Sequence, residues 1–156
     1  MQKIEAQIRD TYYKAYKDAL EQQLNDDNFE WVCKLHKEIV IRLCQLIPHR
    51  PDFHDQIAEN MDPVIFKQML ESKTYRPEDF VKLVHYVFGW IKKLCAPVRD
   101  SEIIESLAAL HKLMNDRATL GKLVPEFVFS VHKHLDQIEQ DLNSDQSKEL
   151  KSLLKK

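Results

Sequence analysis

Apolar residues recur every three or four positions along nearly the whole chain, the spacing of helices that bury one face. Over about residues 3–23, Ile4, Ile8, Tyr12, Tyr16, Leu20 and Leu24 follow at intervals of four, with Ala15 and Ala19 beside them. This predicts an amphipathic surface helix. Asn25, Asp26 and Asp27 break it and offer a cap for the next. A second helix, about 28–47, carries Phe29, Val32, Leu35, Ile39, Leu43 and Leu46 inward and ends at Pro48 and Pro51. A short helical turn is expected near Phe53–Ile57. Asp62-Pro63 then reads as a helix start, the aspartate capping and the proline in the first turn. Val64, Ile65, Met69 and Leu70 are expected to face inward, to about Ser72.

The widest apolar face belongs to residues 77–95. Phe80, Val81, Leu83, Val84, Val87, Phe88, Trp90, Ile91, Leu94 and Cys95 cover about half of the helical wheel. A face that wide predicts a central helix touched by several others. Gly89 lies in its polar arc, where either drift or the close approach of another backbone would account for it. Ala96-Pro97 stops the helix, and Asp100 is expected to cap the next, whose buried face is carried by Ile103, Ile104, Leu107, Leu110 and Met114 to about Asn115. A further helix begins near Thr119 or Lys122 and continues to Leu142, with Pro125 as a kink or a first-turn residue. Asn143 and Ser144 are expected to cap a last short helix holding Leu150, Leu153 and Leu154.

These elements predict an all-α fold, an irregular bundle of six to eight helices packed around the helix at about 77–95. Composition agrees. Only two of 156 residues are glycine, too few for a protein built on many tight β-turns. No repeat or linker divides the chain, so residues 1–156 read as one domain.

Charge and cysteine usage narrow the function. Twenty-three basic residues balance 25 acidic ones. This gives no general attraction to nucleic acid or anionic lipid, and Lys92-Lys93, Lys151 and Lys155-Lys156 are small basic spots that read as a solvated face. No apolar run approaches the ~18 residues that span a bilayer. The N-terminus has no apolar leader, and three cysteines without a CxxC pair read as reduced thiols, so an intracellular, cytoplasmic protein is expected.

Candidate chemistry is sparse. Cys33 and His36 share a helical face, but Cys44 lies eleven residues on, about 16 Å along the axis. That is too far to share a zinc whose ligands sit about 2 Å away. Buried thiols and a surface histidine are the ordinary reading, and neither metal nor cofactor is expected. His132 and His134 point to different faces, and His132 can meet Asp136 at i+4. No nucleophile accompanies them, and no GxxxxGK[ST], GxGxxG or HExxH occurs.

The best polar constellation is Cys95-Ala96-Pro97-Val98-Arg99-Asp100. The proline ends one helix and the aspartate starts the next. The arginine can brace the corner through helix-end carbonyls or a carboxylate, or it can dock a partner on an exposed turn. Leu94-Cys95-Ala96-Pro97-Val98-Arg99-Asp100, followed by Glu102-Ile103, resembles the signature of the T-complex protein 11 family. Ile39-Val40-Ile41-Arg42-Leu43 to Ile47-Pro48 resembles the family's upstream helix. Phe129 to Leu142 resembles its leucine-aspartate helix, although Asn143-Ser144-Asp145-Gln146 departs from the usual asparagine-phenylalanine continuation. The resemblance spans about residues 28–156 and leaves 1–27 as an N-terminal helix outside it. It implies a helical, non-catalytic protein with links to cyclic-AMP-dependent kinase signalling and sperm function.

The expectation is a protein-interaction or adaptor module with a protein partner, no membrane insertion and no specific nucleic acid. Cys95, Pro97, Val98, Arg99 and Asp100 form its candidate partner-binding or helix-corner motif. A self-associating structural protein and a metal- or histidine-dependent enzyme are the alternatives.

Overall fold

The computed structural model describes the backbone of residues 2–72 and 77–154 and the side chains of 4–5, 7–72 and 78–143. Among the described residues there are seven α-helices and no strand: α1 (Gln2–Asn25), α2 (Glu30–Leu46), α3 (Pro51–Asn60), α4 (Pro63–Glu71), α5 (Pro77–Leu94), α6 (Asp100–Asn115) and α7 (Leu120–Leu154). A 3₁₀ turn, Pro97–Arg99, joins α5 to α6. The all-α class and the helix count are as expected.

The hub differs from the expectation. Helix α5 is as buried as its wide apolar face requires, with Phe80, Val84, Val87 and Ile91 fully enclosed. Yet α5 packs mainly on α6 and α7, whereas α7 packs on α1, α2, α5 and α6. A wide face requires burial and does not say how many helices supply it. Val124, Phe127, Val128, Val131 and Leu135, all fully buried, share one face of α7, and its other sides meet the remaining helices: Phe129 and Glu126 face α1, His132 and Asp136 face α2, and His134 faces α6. Phe127 meets Phe80 edge-on, with ring centroids 5.6 Å apart. Phe88 stands near both Phe127 and His134, so α5 and α7 run parallel. Leu35 and Arg42 reach His132 and Glu139, which makes α2 parallel as well. Lys17 pairs with Glu126 while Asn25 lies against Gly121, so α1 runs antiparallel to α7.

Helix α7 also runs through Asn143 and Ser144, where a cap and a new short helix were expected. Neither residue forbids helical φ and ψ, and no proline or glycine follows to stop propagation. The side chains of Leu150, Leu153 and Leu154 lie outside the described residues. Pro125 is the sixth residue of α7, inside the helix rather than in its first turn. Its missing N–H frees the carbonyl of Gly121. At Gly121 an added Cβ would stand 2.7 Å from Asn25 Oδ1, so this glycine marks the close approach of α1 to α7. Gly89 has open space around it, which leaves drift as its explanation.

The stripe read on α1 divides. Leu20 and Leu24 are buried, but Ile4, Ile8, Tyr12 and Tyr16 are 50–61% exposed. A step of four residues advances about 40° past a full turn. Six residues at that spacing therefore wind halfway round the helix and cannot share one face. The seam against α7 is carried instead by Tyr13, Lys17, Leu20 and Leu24.

Three further inward assignments change, and one is Ile104 of α6, which is 56% exposed while Ile103 and Leu110 are buried. Val64 and Ile65 are 63% and 60% exposed, because α4 buries Phe66 and Leu70 instead. The turn near Phe53 is a full helix of ten residues, opened by Pro51 at its first position.

Glycine scarcity is met at two helix ends by strained residues. Asp27 and Arg117 both adopt φ 58°. The amides of Asn28 and Ala118 then reach back to the carbonyls of Gln23 and Leu113, at 2.8 and 3.0 Å, which closes Schellman-type caps normally given to glycine.

Candidate functional site

The corner from Cys95 to Asp100 is where α5, α6 and α7 meet. Arg99 ends the 3₁₀ turn and extends its guanidinium across to α7. Its Nε and Nη2 donate to Asp141 Oδ2 and Oδ1 at 3.3 and 3.2 Å, a forked pair. Nη1 donates to both Glu102 oxygens at 3.4 Å. The arginine thus ties the turn to the first turn of α6 and to α7 through carboxylates, and the Asp141 contact favours its charged form still further.

Asp100 does not cap α6, contrary to expectation. It has helical φ and ψ, and the cap position falls on Arg99, whose side chain makes no capping bond. Asp100 lies in the first turn, where its charge complements the helix dipole, and accepts from the Cys95 thiol at 3.6 Å. Burial and then that carboxylate hold the thiol above its ordinary range. Val98 is 80% exposed and Pro97 is also exposed. Asp62, by contrast, is a true cap, accepting from the Val64 amide at 2.9 Å.

A second polar centre, absent from the sequence reading, joins α2 to α7. Arg42 Nη2 donates to Asp136 Oδ1 at 2.6 Å, Nε to Glu139 Oε1 at 3.2 Å and Nη1 to His132 Nδ1 at 3.0 Å. Since Nδ1 accepts, Nε2 carries the proton and donates to the Leu35 carbonyl at 3.2 Å. Burial, and secondarily the Arg42 charge, push the His132 imidazole below its ordinary range. His132 and Asp136 do lie on one side of α7, but Arg42 is what connects them. The available signal was a lone arginine inside the aliphatic run Ile39-Val40-Ile41-Arg42-Leu43.

His134, on another face, donates from Nδ1 to Gln137 Oε1 at 3.2 Å and accepts at Nε2 from the Ser106 hydroxyl at 2.8 Å. His36 is completely buried rather than on the surface. It bonds the Met61 carbonyl through Nε2 at 2.7 Å and stacks on Phe66 with ring centroids 4.1 Å apart. Cys33 and Cys44 are partly buried, and burial raises both thiols above their ordinary range. Among the described residues, no three His, Cys, Asp or Glu side chains are grouped to hold a metal ion, and no helix is long and apolar enough to cross a membrane.

On α1, Ile4, Ile8 and Tyr12 form an exposed apolar ridge at 51–61% exposure. Tyr16 joins its inner end, with its ring stacked on Phe129 and edge-on to Trp31.

The family model for T-complex protein 11 matches residues 1–149, so α1 is included along with the helices on which the resemblance was read. The human T-complex protein 11 homolog is 30% identical over 105 residues, covering 64% of this chain and 20% of the human protein. The chain therefore matches about a fifth of that relative's length. No solved structure matches. By the extent of the family match, the chain belongs to the T-complex protein 11 family.

Proposed function

We propose that this chain is a non-catalytic protein-interaction module whose contact surface is the outer face of α1, acting in the cytoplasm. The observation that carries the reading is the ridge of Ile4, Ile8 and Tyr12, each more than half exposed and one helical turn from the next. Contiguous exposed apolar surface on a folded domain commonly marks a contact site, and an apolar ridge on a helix suits a groove or a second helix. Family resemblance suggests cyclic-AMP-dependent kinase signalling as the setting. In this reading the Arg99 corner braces the fold, and Pro97 and Val98 are presented outward.

The experiment is direct binding of purified regulatory and catalytic subunits of cyclic-AMP-dependent kinase to the intact chain and to Ile8→Asp and Tyr12→Asp. Saturable binding that both substitutions weaken at least about tenfold, with melting unchanged, supports the reading. Absence of binding to either subunit removes the kinase link. Partner capture that ignores both substitutions removes the ridge. The same ridge favours a second reading, self-association, and light scattering of the intact chain against Ile8→Asp separates the two.

A further inference from the structure

A cavity of about 550 Å³ lies between α2, α4 and α5, away from the α1 ridge and from both arginine centres. Its walls are His36, Phe66, Met69, Leu83 and Tyr86. His36 is wholly enclosed, its Nε2–H is spent on the Met61 carbonyl, and its Nδ1 has no hydrogen-bond partner. The Tyr86 hydroxyl is likewise buried without a partner. These are the buried side-chain polar atoms left unsatisfied among the described residues, and both belong to side chains lining this one cavity.

An unsatisfied buried polar atom costs about 1–3 kcal/mol. Both atoms lie behind the cavity wall, closed even to water, so a bound group removes that cost where the two side chains turn to meet it. The bond to Met61 sets the chemistry. With the proton on Nε2, the Nδ1 is an acceptor and calls for a donor. Burial lowers the pKa of His36 and so keeps that acceptor available. The Tyr86 hydroxyl can give or accept. Around them stand Phe66, stacked on His36, the thioether of Met69 and the aliphatic Leu83, an apolar lining. The mouth carries Glu59, Asp62 and Asp79 against a single lysine, Lys82, so its charge favours a cation. The volume lies in the range of pockets that hold small molecules.

We propose that this cavity binds a small aromatic amine, its ring N–H or O–H donated to His36 Nδ1 beside the Tyr86 hydroxyl and its ammonium held at the acidic mouth. The site is independent of the interaction surface on α1.

The test uses the intact chain and tryptamine, which carries an indole N–H at one end and an ammonium at the other. Two relatives each remove one feature: 1-methyltryptamine lacks the ring donor, and 3-ethylindole lacks the amine. With ¹³C-labelled histidine and tyrosine, NMR titration should show saturable shifts in His36 and Tyr86 with tryptamine. Each relative should bind about tenfold more weakly, the loss of one good polar contact. Tyr86→Phe keeps the ring and the fold and should weaken tryptamine several-fold, while His36→Phe should abolish the shifts at Tyr86. If His36→Phe does not fold, Tyr86→Phe and the two ligand relatives carry the test. Absence of saturable shifts at His36 overturns the proposal. So does equal binding of either relative, unchanged affinity in Tyr86→Phe, or a crystal grown with tryptamine in which one ordered water bridges the two atoms and no amine is bound.

Discussion

Arg42 Nη2 lies 2.6 Å from Asp136 Oδ1, and through this contact α2 and α7 are held side by side. Only 18% of the arginine side chain is exposed, against 48% of the aspartate, so the cation is the buried member. Arginine suits the place because one planar group serves three acceptors. Arg42→Ala would leave His132 Nδ1 without its donor inside a partly buried seam. The expected cost is about 2 kcal/mol in urea unfolding. Arg42→Lys should recover less than half, since an ammonium cannot reproduce the fork. A loss under about 0.5 kcal/mol for Arg42→Ala would mean that the network is decorative.

The two helix-start aspartates should behave differently. Asp62 accepts from the amide two residues on, so Asp62→Ala should cost about 1 kcal/mol. Asp100 makes no such capping bond, and Asp100→Ala should cost about half as much or less, through the dipole and the weak contact with the Cys95 thiol. Equal losses in thermal melts would contradict this assignment.

Arg99→Ala separates bracing from docking. The Arg99 and Asp141 side chains are 31% and 32% exposed, so solvent screens their attraction. A double-mutant cycle with Asp141→Asn should give a coupling of about 0.5–1 kcal/mol. Zero coupling together with lost partner capture would move Arg99 to the binding surface.

Arg117→Gly should stabilise the protein by about 1 kcal/mol. Its φ of 58° is strained for a side chain and free for glycine, and Arg117 itself is exposed. Asp27→Gly should act in the same direction at the end of α1. A fall in melting temperature for both would refute the cap geometry.

Acidification should destabilise the fold. Burial depresses the imidazoles of His36, His132 and His134. A depressed histidine binds fewer protons folded than unfolded, so stability is full above the unfolded value of about 6.5 and declines as pH falls through it. The slope is at most about 1.4 kcal/mol per pH unit for each histidine, and it ends once the pH passes the folded value. Urea midpoints at pH 7.5, 6.5 and 5.5 check this, and a flat profile would show that these imidazoles titrate normally. At the other extreme, burial raises the Cys33, Cys44 and Cys95 thiols and the Tyr13 phenol. Their contribution is full below the unfolded values and declines as the solution becomes alkaline.

Period, proline and capping chemistry act within a few residues, so the helices, most of their boundaries and the all-α class are legible along the chain. The local pattern also placed the α5–α6 corner, since Pro97 must stop a helix wherever α5 goes. It marked Phe80, Val84, Val87 and Ile91 for burial through one wide face on one helix. Packing between helices settled that α7 is the hub, which side of α1 lies against the core, and that His36 is enclosed. It alone decided that Arg42 meets Asp136 and Arg99 meets Asp141. These pairings join residues 94 and 42 positions apart, and such partners depend on the directions in which the helices cross. Local spacing gives the face a side chain occupies, but only packing gives what stands opposite it.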